Sequence, residues 1–115
     1  MVLPTLDDVD VELARRHLLD FTTYTYPAYE VNWHHQLICS LLDDLATKSD
    51  QRLMVFAQPR SGKSELVSRR LPAYILGRDP DAWIIAASYG AELARSMNRD
   101  VQRIMDGDEY RRLFP

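Results

Sequence analysis

The chain carries one cysteine, Cys39, which excludes an intrachain disulfide framework and fits a reducing cytosol. No apolar run approaches the ~20 residues of a membrane-spanning helix, so no membrane partner is expected. The opening residues, Met1-Val-Leu-Pro-Thr-Leu-Asp-Asp8, have neither a basic start nor an apolar stretch, and a secretory signal is not expected. Positive charge is in no surplus: 14 Lys+Arg against 17 Asp+Glu leave a net charge of −3. That balance argues against a surface devoted throughout to nucleic acid, while leaving room for a local basic patch. Internal repeats and low-complexity tracts are absent as well. What remains is 115 residues, 46% hydrophobic and 27% charged, a globular balance that excludes disorder as the main state.

The pattern predicts a helical preface over residues 1–50 and then a β-α-β-α series over 51–115. Leu6, Val9, Leu13, Leu18 and Phe21 form a helical stripe, with Thr5, Asp7 and Asp8 as possible caps. Phe21, Tyr24, Tyr26, Tyr29 and Trp33 crowd the next segment, which fits packing on the core or on a planar ligand. Asn32 caps a second helix running to about Thr47, with Trp33, Leu37, Leu41 and Leu45 at i, i+4 spacing and Ile38 and Leu42 widening the row. Arg52–Ala57 reads as a strand buried on both faces, and Ala82–Ala87 as a second. Between them a helix is expected from Lys63 to Leu76, kinked by Pro72 and capped by Gly77. A last helix spans 91–106, with Leu93, Met97, Val101 and Ile104 on one face and Gly107 at its end. Alternation of this kind predicts an α/β fold with a parallel sheet.

The chemistry concentrates in Ala57-Gln-Pro-Arg-Ser-Gly-Lys-Ser64. It matches the phosphate-binding loop G-x-x-x-x-G-K-[ST] (Walker A), with Ala57 in place of the first glycine. Backbone N–H groups of such a loop, here those of Gln58 and of Arg60 to Ser64, converge on phosphate, and the following helix N-terminus adds partial positive charge. Gly62 allows close backbone approach, Lys63 reaches the β- and γ-phosphates, and the Ser64 hydroxyl ligates Mg²⁺. Arg60 stands where an arginine in cis can stabilise transition-state charge, the alternative being a solvated surface arginine.

Five stretches resemble the large terminase subunit of tailed bacteriophages. They are Trp33-His-His-Gln36; Leu53-Met-Val-Phe-Ala-Gln-Pro-Arg-Ser-Gly-Lys-Ser-Glu-Leu66; Leu71-Pro-Ala-Tyr74 with Leu76-Gly-Arg-Asp-Pro80; Ile85-Ala-Ala-Ser-Tyr-Gly-Ala-Glu-Leu-Ala94; and Tyr110-Arg-Arg-Leu-Phe-Pro115. The resemblance implies a partial P-loop NTPase (RecA-like, ASCE) parallel sheet with helices on its faces and an N-terminal helical segment. It implies ATP and Mg²⁺ as cofactors, held by Gln58, Pro59, Arg60, Ser61, Gly62, Lys63 and Ser64, with Arg60 and Lys63 catalytic and Ser64 on the metal. Gln36 falls at the family's adenine-reading glutamine, a role its amide suits; an exposed helix residue is the other reading. Trp33 stands either by the base or as a core anchor. The implied partners are double-stranded DNA, the small terminase subunit, the portal protein and the remainder of the large subunit, in the cytoplasm of the bacterial host.

Other residues read as structural. His34 and His35 are adjacent and diverge on a helix, poor metal geometry that suggests one surface and one core residue. Cys39 reads as packing, and Arg69-Arg70 and Arg111-Arg112 as solvated faces or DNA-phosphate contacts. A DNA-packaging motor also needs a strand of four apolar residues ending in Asp-Glu. Leu37-Ile-Cys-Ser-Leu-Leu-Asp-Asp44 imitates it weakly, but it precedes the loop and has helical spacing, so it reads as a decoy. Without that acid or the nuclease carboxylates, the chain is expected to be the front of an ATPase domain, binding nucleotide without appreciable hydrolysis alone. A truncated gene, a split gene completed by a second polypeptide and an excerpt of a longer protein all fit. Pro59-Arg-Ser-Gly62 also resembles the phosphosulfate loop of sulfotransferases, although Lys63 stands where that loop has Ser or Thr. A non-catalytic interaction remnant binding a terminase or portal protein is the other alternative.

Overall fold

The computed structural model describes residues 5–48, 51–56, 65–88 and 90–114. Six α-helices and one wide-turned helix fill most of them: α1 (Leu6–Arg16), α2 (Leu18–Thr25), α3 (Trp33–Thr47), a π-helical segment (Glu65–Arg70), α4 (Leu71–Arg78), α5 (Ala91–Asp106) and α6 (Asp108–Leu113).

Local chemistry explains most of the boundaries. Thr5 starts α1 through a capping box, its hydroxyl accepting from the Asp8 N–H while Asp8 accepts from the Thr5 N–H at 3.0 Å. The single helix expected through Phe21 breaks at His17, whose backbone is extended. Asp43 of α3 holds the break, because its Oδ1 accepts from the Leu18 N–H at 2.9 Å and caps α2 from outside. Asn32 caps α3 as the pattern predicts, and Gly107 closes α5 and opens α6. Helix α4 passes through Gly77 and ends at Arg78, one residue beyond the expected cap.

Short α2 occupies the centre, touching α1, α3, the π-helical segment, α4 and α6. Phe21 is its fully buried hub, with ring centroids of Tyr74, Tyr110 and Phe114 at 5.5, 6.1 and 6.2 Å. Ala14, Leu18, Ile38, Cys39, Leu42, Leu66, Leu71, Ala73, Val101 and Leu113 complete the core around it. Arg15 binds α1 to α6, donating from Nε to the Leu113 carbonyl at 2.8 Å and from Nη2 to that of Arg112 at 3.2 Å, so two C-terminal carbonyls of α6 find partners.

The expected α/β fold is not formed. Among the described residues there is no strand and no sheet, and therefore neither the partial P-loop NTPase parallel sheet nor the β-α-β-α series over 51–115. Residues 51–56 are extended, with Leu53 and Val55 turned inward around a cavity of ≈ 260 Å³ lined also by Leu42, Leu45, Val67, Ser68 and Leu71. Met54 and Phe56 stand outward at 78% and 86% exposure, and Trp83 and Ile85 at 96% and 94%. An apolar run becomes a strand only when a neighbour about 4.8 Å away takes its backbone hydrogen bonds, and these two runs do not pair. Their composition reported apolarity correctly and pairing not at all.

Candidate functional site

The wide turn at Glu65–Arg70 follows directly on the Gly62-Lys63-Ser64 sequence. Its cause is Pro72, which has no N–H for the Ser68 carbonyl and whose ring crowds it; a wider turn relieves both. In such a turn residues four and five apart both stand over the first. Accordingly Arg69 Nη1 lies 3.5 Å and Arg70 Nε 2.8 Å from the two Glu65 carboxylate oxygens.

Arg70 is the centre of this cluster and is only 7% exposed. Its Nη1 donates to Thr25 Oγ1 at 2.8 Å, and its guanidinium lies 5.2 Å from the centroid of the Tyr26 ring. Arg69 turns the other way, Nε donating to Asp100 of α5 at 2.8 Å, and Arg103 adds a longer ion pair to Asp100 at 3.7 Å. The helix that follows the loop sequence is thus fixed to α2 on one side and α5 on the other.

The aromatic segment continues the cluster towards α3. Tyr26 and Tyr29 meet edge to face at 6.2 Å, and Tyr29 lies 5.0 Å from the His35 ring. Burial pushes the Tyr29 hydroxyl up to about 12, with the nearby Cys39 thiol and Glu65 carboxylate adding to the shift. His35 is buried and its Nδ1 accepts from the Asn32 N–H at 3.0 Å, which sets the entry into α3. Gln36, the next residue, is exposed.

Of the residues the sequence singles out, Gln58, Pro59, Arg60, Ser61, Gly62, Lys63 and Ser64 lie outside the described residues, as does Ala57. Trp33 is 76% exposed, so it is not a core anchor: α3 buries Ile38, Cys39 and Leu42, and the neighbouring row through Trp33, Leu37 and Leu41 faces out. Arg70 is likewise no solvated arginine, since Glu65 and Thr25 draw it inward. Arg111 is exposed, and Arg112 pairs with Asp7 of α1. The decoy at Leu37–Asp44 is helical, and its acids do structural work: Asp43 caps α2, and Asp44 pairs with Lys48 at 3.4 Å. His34 and His35 split as half-buried and buried, and Cys39 packs in the core. Among the described residues no three His, Cys, Asp or Glu gather as a metal cage, and no helix is long and apolar enough to cross a membrane.

The Glu65–Arg70–Thr25 junction escaped the sequence reading. The Glu65–Arg69 spacing of four was a visible sign. Thr25 and Arg70, 45 residues apart, gave none. The chain matches no protein-family model, no curated protein and no solved structure.

Proposed function

We propose that the chain is an ATP-binding portion of a terminase-type motor that packages double-stranded viral DNA. In this reading Gln58–Ser64 grip the triphosphate, Lys63 neutralises it, Arg60 faces the γ-phosphate and Gln36 reads the adenine. Mg²⁺ commonly takes one or two protein oxygens and completes its shell with phosphate and water, so the single Ser64 hydroxyl is a sufficient anchor. The supporting observation is that Glu65–Arg70, the residues that follow Gly-Lys-Ser in the sequence, are helical and are fixed to two other helices. Of the setting such a loop requires, the helix is there and the preceding strand is not. The small terminase subunit, the portal protein and the remainder of the large subunit are the partners in this reading, in the cytoplasm of the bacterial host.

Isothermal titration of the chain with ATP and Mg²⁺ tests this. The expected result is binding that Lys63→Ala abolishes, with no appreciable hydrolysis. Undiminished affinity in Lys63→Ala would remove the phosphate-loop assignment, and robust turnover lost in that variant would remove the incompleteness.

The outward Met54, Phe56, Trp83 and Ile85 favour a second reading, a non-catalytic module that binds a terminase or portal protein through these side chains. It gains if the chain binds such a partner and Lys63→Ala changes neither that binding nor nucleotide affinity.

A further inference from the structure

Arg70 has more donors than the fold gives it acceptors. A guanidinium carries five N–H groups and does not shed its charge. Its Nε goes to Glu65 and its Nη1 to Thr25 Oγ1, each at 2.8 Å. The Thr25 hydroxyl is engaged on both sides, since it donates its own proton to the Phe21 carbonyl at 2.9 Å. Nη2 has no acceptor among the described residues, although the Arg70 side chain is only 8% exposed. Buried charged donors are normally matched, so an unmatched one points to an acceptor that arrives from outside. The Tyr26 ring covers one face of the guanidinium, which leaves its edge for that acceptor.

Arg70 and Thr25, joined by their bond, line a cavity of ≈ 210 Å³ together with Arg103, Ile104, Glu109 and Tyr110. Arg103 is held only by its 3.7 Å pairing with Asp100, and its side chain is 78% exposed, so it can turn to a ligand. Glu109 is exposed as well and brings a negative charge to the same lining. Around the cavity Arg69, Arg70 and Arg103 stand against Glu65, Asp100 and Glu109, a balanced set. A dianion such as phosphate upsets that balance, whereas a ligand carrying both signs preserves it.

We propose that this cavity binds a small zwitterion of the α-amino-acid type, with its carboxylate on Arg70 and Arg103, its ammonium on Glu109 and its apolar side chain against Ile104 and Tyr110. Arg70 is the fixed end of the site: tied at two atoms, it offers Nη2 to a carboxylate in the plane that guanidinium–carboxylate pairing requires. Arg103 and Glu109 are the adaptable end. The cavity shares no residue with the phosphate-loop sequence, so the two readings stand or fall separately.

The test is an NMR titration of the full chain with leucine, with isocaproate, which lacks the ammonium, with isoamylamine, which lacks the carboxylate, and with inorganic phosphate. Leucine should give saturable shifts of the Thr25, Arg70 and Gly107 amides. Isocaproate should bind about tenfold more weakly, the loss of one charge-assisted contact, and isoamylamine should not saturate. Arg103→Ala should weaken leucine about tenfold. Glu109→Gln should bring leucine down to the affinity of isocaproate and leave isocaproate unweakened. Both substituted side chains are exposed, and thermal melts check that the fold persists. The proposal is overturned if leucine gives no saturable shifts, if isocaproate or phosphate binds wild type as tightly as leucine, or if either variant binds leucine like wild type.

Discussion

Tyr110 of α6 donates its buried hydroxyl to the backbone carbonyl of Ala73 in α4 at 2.8 Å, joining two helices 37 residues apart. The Tyr110 ring meanwhile packs edge-on against Phe21 at 6.1 Å and beside Phe114 at 5.3 Å. Tyr110→Phe keeps the ring contacts and removes this hydrogen bond, while the Ala73 carbonyl stays within the helical ladder of α4. The expected cost is about 0.5–1.5 kcal/mol. In urea unfolding it should appear as a lower midpoint with an unchanged slope.

Gly77 supplies space for the other end of that aromatic group. A Cβ built there falls inside van der Waals contact of the Phe114 ring. Alanine for glycine in a helix gains about 1 kcal/mol in propensity, whereas overpacking costs about 1–3 kcal/mol. Overpacking should win, so Gly77→Ala is expected to lower the melting temperature. Gly77→Ala combined with Phe114→Leu should recover most of the loss and show that the ring was its cause.

These contacts mark how far the sequence could be read. Caps are local chemistry, and Thr5, Asn32 and Gly107 could be placed from their own neighbourhoods. Pro72 announced a helix fault for a reason internal to the backbone. The two apolar runs at 52–57 and 82–87 required a fact that no run contains, namely whether another strand lies beside it. Along α3, two adjacent apolar rows met the periodicity equally well. Only the packing of α2 against this helix selects Ile38 and Leu42 over Trp33 and Leu37. In the candidate site, the loop sequence could be read from spacing alone, while the burial of Arg70 depends on Thr25, 45 residues away along the chain.

Asp43 gives the fold a pH dependence of definite sign. Burial raises its pKa above the ordinary carboxylate value, and the Leu18 N–H bond and the charges of His17 and Arg78 offset this only in part. With its pKa raised on folding, the folded chain holds the proton more tightly than the unfolded one. Its contribution to stability is therefore fully present below the unfolded pKa, about 3.9, and is lost as pH rises through the higher folded value. Asp43→Asn keeps an oxygen for the Leu18 N–H and removes the charge. The variant's melting temperature should exceed wild type by more at pH 7 than at pH 3.5. An equal difference at both would show that Asp43 is no more costly to ionise in the fold than outside it.

Cys39 offers a probe of the same helix. It is 2% exposed, and burial pushes its thiol up to about 12, with Asp43 and Asp20 adding to the shift. At pH 8 a thiol of that pKa is thiolate about one part in ten thousand, and the thiolate is the reacting form. Iodoacetamide should therefore modify the native chain far more slowly than the urea-unfolded chain, where the pKa returns to about 8.5. Modification that does occur reports opening of α3 away from α2. Asp43→Ala, which removes the cap on the Leu18 N–H, should raise the native labelling rate severalfold in proportion to the added opening. Tyr110→Phe acts on the α4–α6 junction, so its effect on labelling distinguishes two modes of opening. A rise matching its loss of global stability means that α3 is exposed only in whole-chain unfolding, and an unchanged rate means that α3 opens on its own.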